Sequence, residues 1–241
     1  MTVKEHYDNH LGNFYGWMLG DFDTNEEKMR EFFAGHGIAS QTNQIALDLG
    51  SGNGIQAVAL AKLGYKVKAV DFNEQLLNEL NEHKSQYDIE VINCEAINYL
   101  NSLNKKFSLI TCMGDTILHL ESREWVKEFI KLCYENLESG GKLILSFRDY
   151  TTELKGDARF IPVKSDDTKV MTCFLEYSDD YVKVTDLLHE KINGEWMQFV
   201  SSYKKTRVLP EEIEQYLNDA GFEIESNENL NRMIYVIANR L

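Results

Sequence analysis

The chain of 241 residues contains 43% apolar and 11% aromatic residues, a composition that excludes intrinsic disorder and predicts a globular fold. Its 39 acidic and 25 basic side chains give a formal charge of −14, which disfavours nucleic acid and anionic lipid surfaces as partners. The length suffices for one large α/β domain with an inserted lobe.

No targeting, membrane or metal signal stands out. The four cysteines lie far apart, without a CxxC pair or a histidine at metal-ligand spacing, so we expect no metal site. The N-terminal residues MTVKEHYDNH contain no apolar signal core, and no stretch approaches about 18 consecutive apolar residues. We therefore expect a cytoplasmic protein without a membrane partner.

Residues 1–40 are expected to form helices or a lid. Aromatic residues and glycines crowd the segment from Tyr7 to Phe22. Such a segment is typical of a lid that closes over a bound ligand and excludes water. It is also typical of an amphipathic helix packed on the domain, and the two interpretations are compatible.

Residues 41–150 alternate short β-branched runs with longer helical patterns, which predicts parallel βαβ units. Helical periodicity covers about 56–61, 74–84 and 123–136. The predicted strands are 45–49, 66–70, 89–93, 107–112 and 142–147, the last preceded by a turn at Gly140-Gly141.

The pattern changes after Tyr150, where an antiparallel sheet is predicted over residues 151–207. Four alternating segments are separated by turns that include Asp179-Asp180 and Asn193-Gly194. These segments are 159–164, 168–177, 180–190 and 195–207.

Residues 208–241 return to the first domain. A helix from Pro210 to Gly221 precedes strands at 222–226 and 233–239, which a polar turn at 227–231 connects. The predicted fold is thus α/β, a Rossmann-like, seven-stranded and mainly parallel sheet with a C-terminal antiparallel hairpin and a small inserted antiparallel sheet.

The sharpest motif is the glycine-rich turn after the first strand. Gly50, Gly52 and Gly54 are spaced as GxGxG, with Ser51 between the first two, so the backbone can approach a ligand closely. A dinucleotide site has GxGxxG instead, and Asp48 would repel a pyrophosphate. Because that carboxylate suits a ligand that carries a sulfonium and an ammonium, the motif favours S-adenosylmethionine.

A second acidic residue ends the second strand. The Asp71 carboxylate is placed to accept hydrogen bonds from both hydroxyls of a ribose, and Phe72 beside it can lie on an adenine face. The alternative is that Asp71 or Asn73 only caps the following helix.

The GxGxG turn, the acidic end of the second strand and the terminal hairpin together resemble the class I S-adenosylmethionine-dependent methyltransferases. Three segments further resemble the glycine and sarcosine N-methyltransferase group: 112–120 (CMGDTILHL), 147–150 (FRDY) and 201–203 (SSY). The chain departs from that group at Asp115, where the group has Asn.

The resemblance implies a set of cofactor contacts. Cys94 to Ile97 would lie along the adenine, Met113 against the methionine part, and His119 near the rim of the cofactor. The residues expected to bind the cofactor are Tyr15, Trp17, Asp48, Gly50, Ser51, Gly52, Gly54, Asp71, Phe72, Cys94, Glu95, Ala96, Met113 and His119.

Asp115, Arg148 and Tyr203 are the expected catalytic residues. Asp115, Tyr203 or Tyr15 would accept or orient the proton of an amine acceptor. By the resemblance Arg148 would hold a substrate carboxylate, as its planar fork allows, and the alternative is an ion pair with Asp149 or Asp115.

The favoured function is therefore methyl transfer to a small-molecule amine or amino acid. Transfer to oxygen or sulfur of a small metabolite is the alternative, and a non-catalytic protein that keeps the cofactor site is a further one. An RNA or protein substrate would need a basic face. Lys204, Lys205 and Arg207 form the one dense basic cluster, which is interpreted instead as a solvated strand face.

Overall fold

The N-terminal segment folds into short helices rather than one long one. The computed structural model describes residues 1–41 and 44–241. The segment contains α1 (Val3–Asn9), a 3₁₀ turn, α2 (Tyr15–Leu19) and α3 (Phe22–Gly35). Gly20 ends α2 because its φ of 92° lies in the left-handed region, which favours glycine.

Seven strands form the central sheet in the order β10-β11-β5-β4-β1-β2-β3. Neighbours from β5 to β3 are parallel, and β11 runs antiparallel to both β5 and β10. The strands are β1 (Ile45–Leu49), β2 (Lys66–Asp71), β3 (Ile89–Asn93), β4 (Phe107–Cys112), β5 (Leu137–Arg148), β10 (Phe222–Leu230) and β11 (Met233–Arg240).

Helices cover both faces of this sheet, and the core is divided accordingly into two apolar clusters. Phe107 and Phe129 lie in one cluster, and Phe33 and Leu60 lie in the other. The remaining helices are α4 (Ile55–Lys62), α5 (Glu74–His83), α6 (Ala96–Ser102), α7 (Arg123–Asn136) and α8 (Pro210–Ala220). No helix within the described residues is long and apolar enough to span a membrane.

The second sheet is antiparallel, with the order β6-β7-β8-β9. Its strands are β6 (Phe160–Ser165), β7 (Lys169–Tyr177), β8 (Tyr181–Ile192) and β9 (Glu195–Thr206). The predicted turn at Asn193-Gly194 is present, with φ values of 52° and 89° that suit a two-residue hairpin. The predicted fold class is thus confirmed, whereas the domain boundaries 1–40, 41–150 with 208–241, and 151–207 stay a prediction.

Two strand boundaries differ from the expected ones by several residues. β5 begins at Leu137, before the glycine pair, because Leu137 pairs with Phe107 and the register then shifts. The terminal hairpin turns at Asn231-Arg232 alone, both with positive φ, so the ladder continues through the polar residues 227–230. These residues lie on an edge strand, where polar side chains can face solvent.

Candidate active site

A cavity of about 1360 Å³ opens at the carboxyl edge of the central sheet. Its floor is the glycine-rich turn between β1 and α4, and its walls come from the ends of β2 and β4. Helices α1 to α3 and the start of β11 close its sides. The edge where parallel strands end is where open α/β sheets bind ligands.

Backbone hydrogen bonds hold the glycine-rich turn against β2. The N–H groups of Gly50 and Ser51 both donate to the Val70 carbonyl, at 2.8 and 3.1 Å. Gly50 has a φ of 71°, and a Cβ built there would lie 2.3 to 2.9 Å from three side-chain atoms of Thr116. The turn therefore packs directly on the loop after β4, and only glycine fits at this contact.

Asp71 connects two backbone segments at the bottom of the cavity. Its Oδ2 accepts from the Gly52 N–H and its Oδ1 from the Asn73 N–H, both at 2.9 Å. Asn73, not Asp71, caps α5 with its side chain. The alternative of a cap therefore applies to Asn73, while Asp71 fixes the glycine-rich turn and lines the cavity.

Asp48 lies behind the turn and does not line the cavity. Its Oδ1 accepts from the Thr111 hydroxyl at 2.8 Å, while its Oδ2 is buried without a partner among the described residues. Burial raises the pKa of Asp48 to about 7. A buried carboxylate with one free oxygen is the acceptor that a nearby cation would satisfy.

The cavity wall contains the residues that the resemblance assigns to the adenine. Phe72, Cys94, Glu95 and Ala96 all line it. Tyr7 meets the Phe72 ring edge to face, with centroids 5.8 Å apart. An aromatic ring thus lies against the site from the N-terminal helix as well as from β2.

The N-terminal helices cover the cavity and are also packed into the domain. Tyr7 and Tyr15 line the cavity, and Tyr15 lies 3.7 Å from the Cβ position of Gly52. Burial raises the pKa of Tyr7 well above its ordinary value and that of Tyr15 to about 12, so both phenols stay neutral. Trp17 does not line the cavity, because its indole donates to Asp166 at 2.5 Å.

His119 brings a neutral imidazole to the cavity wall. Its Nε2 is enclosed and has no hydrogen-bond partner among the described residues. Burial, assisted by the positive charge of Lys205, lowers the pKa of His119 to about 3. The ring lies edge-on to Tyr7 and Tyr203, with centroids 5.7 and 5.8 Å away.

Asp115 is an ion-pair partner rather than a free carboxylate. Its Oδ2 lies 2.6 Å from Lys205 Nζ and 3.3 Å from Arg148 Nε. Burial works against ionisation, but the two cations outweigh it and hold the pKa of Asp115 below its ordinary value. Of the two expectations for Arg148, the structure thus shows the ion pair with Asp115.

The basic cluster on β9 is not a solvated face, so that interpretation is wrong. Lys205 is buried, and Arg207 donates to the backbone carbonyls of Tyr150 and Ser178, which leaves Lys204 exposed. Sequence reasoning missed Lys205. The alternation of β9 placed it on the same face as Tyr203, and this was the available signal.

Tyr203 lies beside the cavity but not on its wall. Its ring stacks on His6 at a centroid distance of 4.2 Å, and burial raises its pKa above the ordinary value. His6 Nε2 lies 3.1 Å from Asp186 and its Nδ1 lies 2.8 Å from Ser201 Oγ. This buried network joins α1 to the second sheet.

The structure brings most of the predicted site residues together. Those on the cavity wall are Tyr15, Gly50, Ser51, Gly52, Asp71, Phe72, Cys94, Glu95, Ala96, Met113 and His119. Those that do not line it are Trp17, Asp48, Gly54, Asp115, Arg148 and Tyr203. Gly54 instead precedes α4 and packs on Leu80, because a Cβ there would lie 2.7 Å from that side chain.

The chain is similar to known proteins over this same region. Residues 46–141 match the family described as "Methyltransferase domain". The matched segment contains the glycine-rich turn and the end of β2. A ubiquinone biosynthesis O-methyltransferase of Coxiella burnetii (strain Dugway 5J108-111) is 34% identical over 101 residues, which are 42% of either chain. A glycine/sarcosine N-methyltransferase of Aphanothece halophytica is 26% identical over 106 residues, 43% of this chain and 40% of the relative.

The whole fold is shared with a solved structure. S-adenosylmethionine-bound CalS10, an amino pentose methyltransferase from Micromonospora echinaspora, has a TM-score of 0.72 at 15% identity. The match covers 100% of this chain and 98% of the other. This likeness shows that the fold is shared, and the domain match agrees with the predicted enzyme class and cofactor, those of an S-adenosylmethionine-dependent methyltransferase.

The residues present fit that cofactor. Two buried oxygens without partners among the described residues, Ser51 Oγ and Asp48 Oδ2, lie at or behind the glycine-rich turn. They suit the polar methionine part, while Asp71 suits the ribose and Phe72 the adenine ring. The chain spans less than half the length of the curated relatives reported above, so the activity of the whole protein is treated as a proposal.

Proposed function

We propose that the protein transfers a methyl group from S-adenosylmethionine to an amine of a small molecule. The observation that carries this proposal is that apolar residues outside the expected cofactor contacts also line the cavity. These residues include Leu19, Met29, Phe32 and Tyr235, and we call the part of the cavity that they line the acceptor lobe. Its apolar walls offer room for the body of an acceptor beside the glycine-rich turn.

The bound cofactor supplies an electrophilic methyl group on a sulfonium. In this proposal Asp71 holds the ribose, Phe72 and Ala96 contact the adenine, and Ser51 and Met113 contact the methionine part. The protein's task is to align the acceptor with the methyl group and to exclude water, for which Tyr7 and Tyr15 are well placed.

The acceptor nitrogen must present a free lone pair. His119 supports an amine acceptor, because its neutral imidazole has an unpartnered Nε2 at the cavity wall that can accept a hydrogen bond from an N–H group. Asp115 is a poor proton acceptor, because two cations hold it ionised. We therefore assign orientation of the amine to His119 and Tyr15, which line the cavity, and assign no acceptor contact to Arg148, which does not line it and pairs with Asp115.

The test separates cofactor binding from transfer. Calorimetry should show that S-adenosylhomocysteine binds and NAD does not, because Asp48 opposes a pyrophosphate. Transfer of a labelled methyl group is then measured on a panel of amines, amino acids, phenols and thiols. Labelling of amines supports the proposal, labelling of phenols or thiols alone supports the oxygen or sulfur alternative, and tight binding of NAD contradicts the cofactor assignment.

Replacement of Asp71 by alanine should weaken binding of S-adenosylhomocysteine by about 1–3 kcal/mol. The variant loses the ribose acceptor and also frees the Gly52 N–H that shapes the glycine-rich turn. Calorimetry measures the change. Asp88→Ala removes a carboxylate that is 72% exposed and pairs loosely with Lys66, so its affinity should match the wild type. Equal affinity in the Asp71 variant would show that this carboxylate holds no ribose.

A further inference from the structure

The Asp115–Lys205 ion pair joins two parts of the fold at the edge of the active site. Asp115 belongs to the loop after β4, and Lys205 comes from β9 of the second sheet. Both residues are buried, at 3% and 8% exposure. Lys205 has Asp115 as its one ion-pair partner within the described part of the chain, so the contact is specific rather than a surface pairing.

The loop that Asp115 occupies forms part of the cavity. We call residues 113–116 the β4 loop; Met113, Gly114 and Thr116 line the cavity, and Thr116 packs on Gly50. Any shift of the β4 loop would therefore move both the cavity wall and the glycine-rich turn. Its position is set by few groups: the Ser146 hydroxyl accepts from the Gly114 N–H at 2.8 Å, and the Ser146 carbonyl accepts from the Asp115 N–H at 3.2 Å.

The backbone of Asp115 is in an unfavourable conformation. Its φ of 77° and ψ of 0° lie in the left-handed region, which a residue with a Cβ adopts at a cost. Such a conformation persists where surrounding contacts fix it. The carboxylate supplies those contacts, because its Oδ1 accepts from the Arg148 N–H at 2.5 Å while its Oδ2 meets the Lys205 ammonium.

The electrostatics agree with this geometry. Burial alone would lower the pKa of Lys205, but the Asp115 carboxylate together with the nearby Tyr150 and Tyr203 phenols outweighs burial and holds that pKa well above its ordinary value. Both partners are therefore charged at neutral pH, and each satisfies a charge that would otherwise be costly to bury.

We propose that Lys205 is a positioning residue of the methyltransferase site, which fixes the β4 loop in its strained conformation through Asp115. The proposal rests on the proposed function, and it assigns the second sheet a direct effect on the site that binds the cofactor. Lys205 itself does not line the cavity, so its effect is transmitted by Asp115.

The β4 loop carries its own reporter, the methyl group of Met113. We suggest labelling the full chain with [methyl-¹³C]methionine and assigning the Met113 resonance with Met113→Leu. In ligand-free Lys205→Met the Met113 resonance should shift or broaden while the other methionine resonances stay in place. The dissociation constant of S-adenosylhomocysteine should rise about tenfold, the equivalent of one or two lost hydrogen bonds.

Two comparison variants make the test specific. Lys183→Met removes an exposed ion pair with Glu176 in the same sheet, and it should leave the Met113 resonance and the affinity unchanged. The double variant Asp115→Asn with Lys205→Met removes both charges and keeps an acceptor for the Arg148 N–H, and asparagine tolerates the left-handed region. It should restore the Met113 resonance and most of the affinity.

The proposal would be overturned if the Met113 resonance does not move in Lys205→Met. It would also be overturned if the Met113 resonance is displaced as far in the double variant as in Lys205→Met alone. A general shift of all methionine resonances would show a role in stability alone and would also overturn it. If Lys205→Met does not fold, Lys205→Gln replaces it with the same expectations. A wild-type protein that binds no S-adenosylhomocysteine contradicts the proposed function, whereas the ligand-free Met113 resonance still tests the positioning.

Discussion

Replacement of Gly50 by alanine should strongly weaken binding of S-adenosylhomocysteine. The added Cβ would lie 2.9 Å from Thr116 Cβ, so rotation of the threonine side chain cannot remove the overlap. Movement of the turn is opposed as well, because the Gly50 N–H donates to Val70. The positive φ costs about 1–2 kcal/mol and the overpacking about 1–3 kcal/mol, together a loss of roughly thirtyfold to several thousandfold in affinity if borne by the bound conformation.

The measurement is calorimetric titration of S-adenosylhomocysteine, with circular dichroism to establish that the variant is folded. Gly35→Ala is the matched control, since Gly35 lies at the end of α3 with nothing within 4 Å of the added Cβ. It should bind like the wild type. Retained affinity in a folded Gly50→Ala variant would mean that the glycine-rich turn does not form the cofactor site.

Asp48→Asn should stabilise the ligand-free protein at pH 8 and should weaken the binding of the cofactor. Burial raises the pKa of Asp48 to about 7, above the ordinary aspartate value, so the folded protein binds this proton more tightly than the unfolded chain. The carboxyl group therefore contributes most to stability below about pH 4. That contribution is lost as pH rises toward 7, and above pH 7 the buried charge is fully destabilising relative to a neutral group.

The size of this effect follows from the shift in the pKa of Asp48. At one pKa unit per 1.36 kcal/mol, the cost at pH 8 is on the order of 2–4 kcal/mol, which corresponds to a rise of roughly 4–16 °C in the unfolding temperature of Asp48→Asn. The difference from wild type should shrink steadily as pH is lowered toward 5. Thermal unfolding across this pH range measures it, and Asp88→Asn, at an exposed aspartate, should show no such trend.

Cofactor binding should change in the opposite direction. If the positive charges of S-adenosylmethionine face the free Oδ2 of Asp48, the neutral amide loses that attraction and the dissociation constant rises. Binding to the wild type near pH 7 should also release a proton, which calorimetry in buffers of different ionisation enthalpy detects. A variant that is both less stable at pH 8 and unchanged in affinity would assign Asp48 a purely structural role.

The sequence by itself determined the order of most elements and predicted many of the residues that line the cavity. Strands β1, β3 and β4 have their predicted bounds, because buried parallel strands consist of short apolar runs rich in β-branched residues, with turns on either side. Gly50, Gly52 and Asp71 were identified as candidate site residues from local features of the sequence. The spacing of the glycines and the end of the second strand determine where these residues lie. Helix α6 and the late start of the terminal turn were missed, because their residues lack a clear apolar period.

Only the tertiary structure decided which charged residues meet. Asp115 and Lys205 are 90 positions apart in the chain, and a lysine in a basic cluster is more often exposed than buried. Their pairing depends on how the second sheet packs against the loop after β4, which no local pattern encodes. The same holds for Asp48, whose hydrogen-bond partner Thr111 is 63 positions away and whose raised pKa arises from burial.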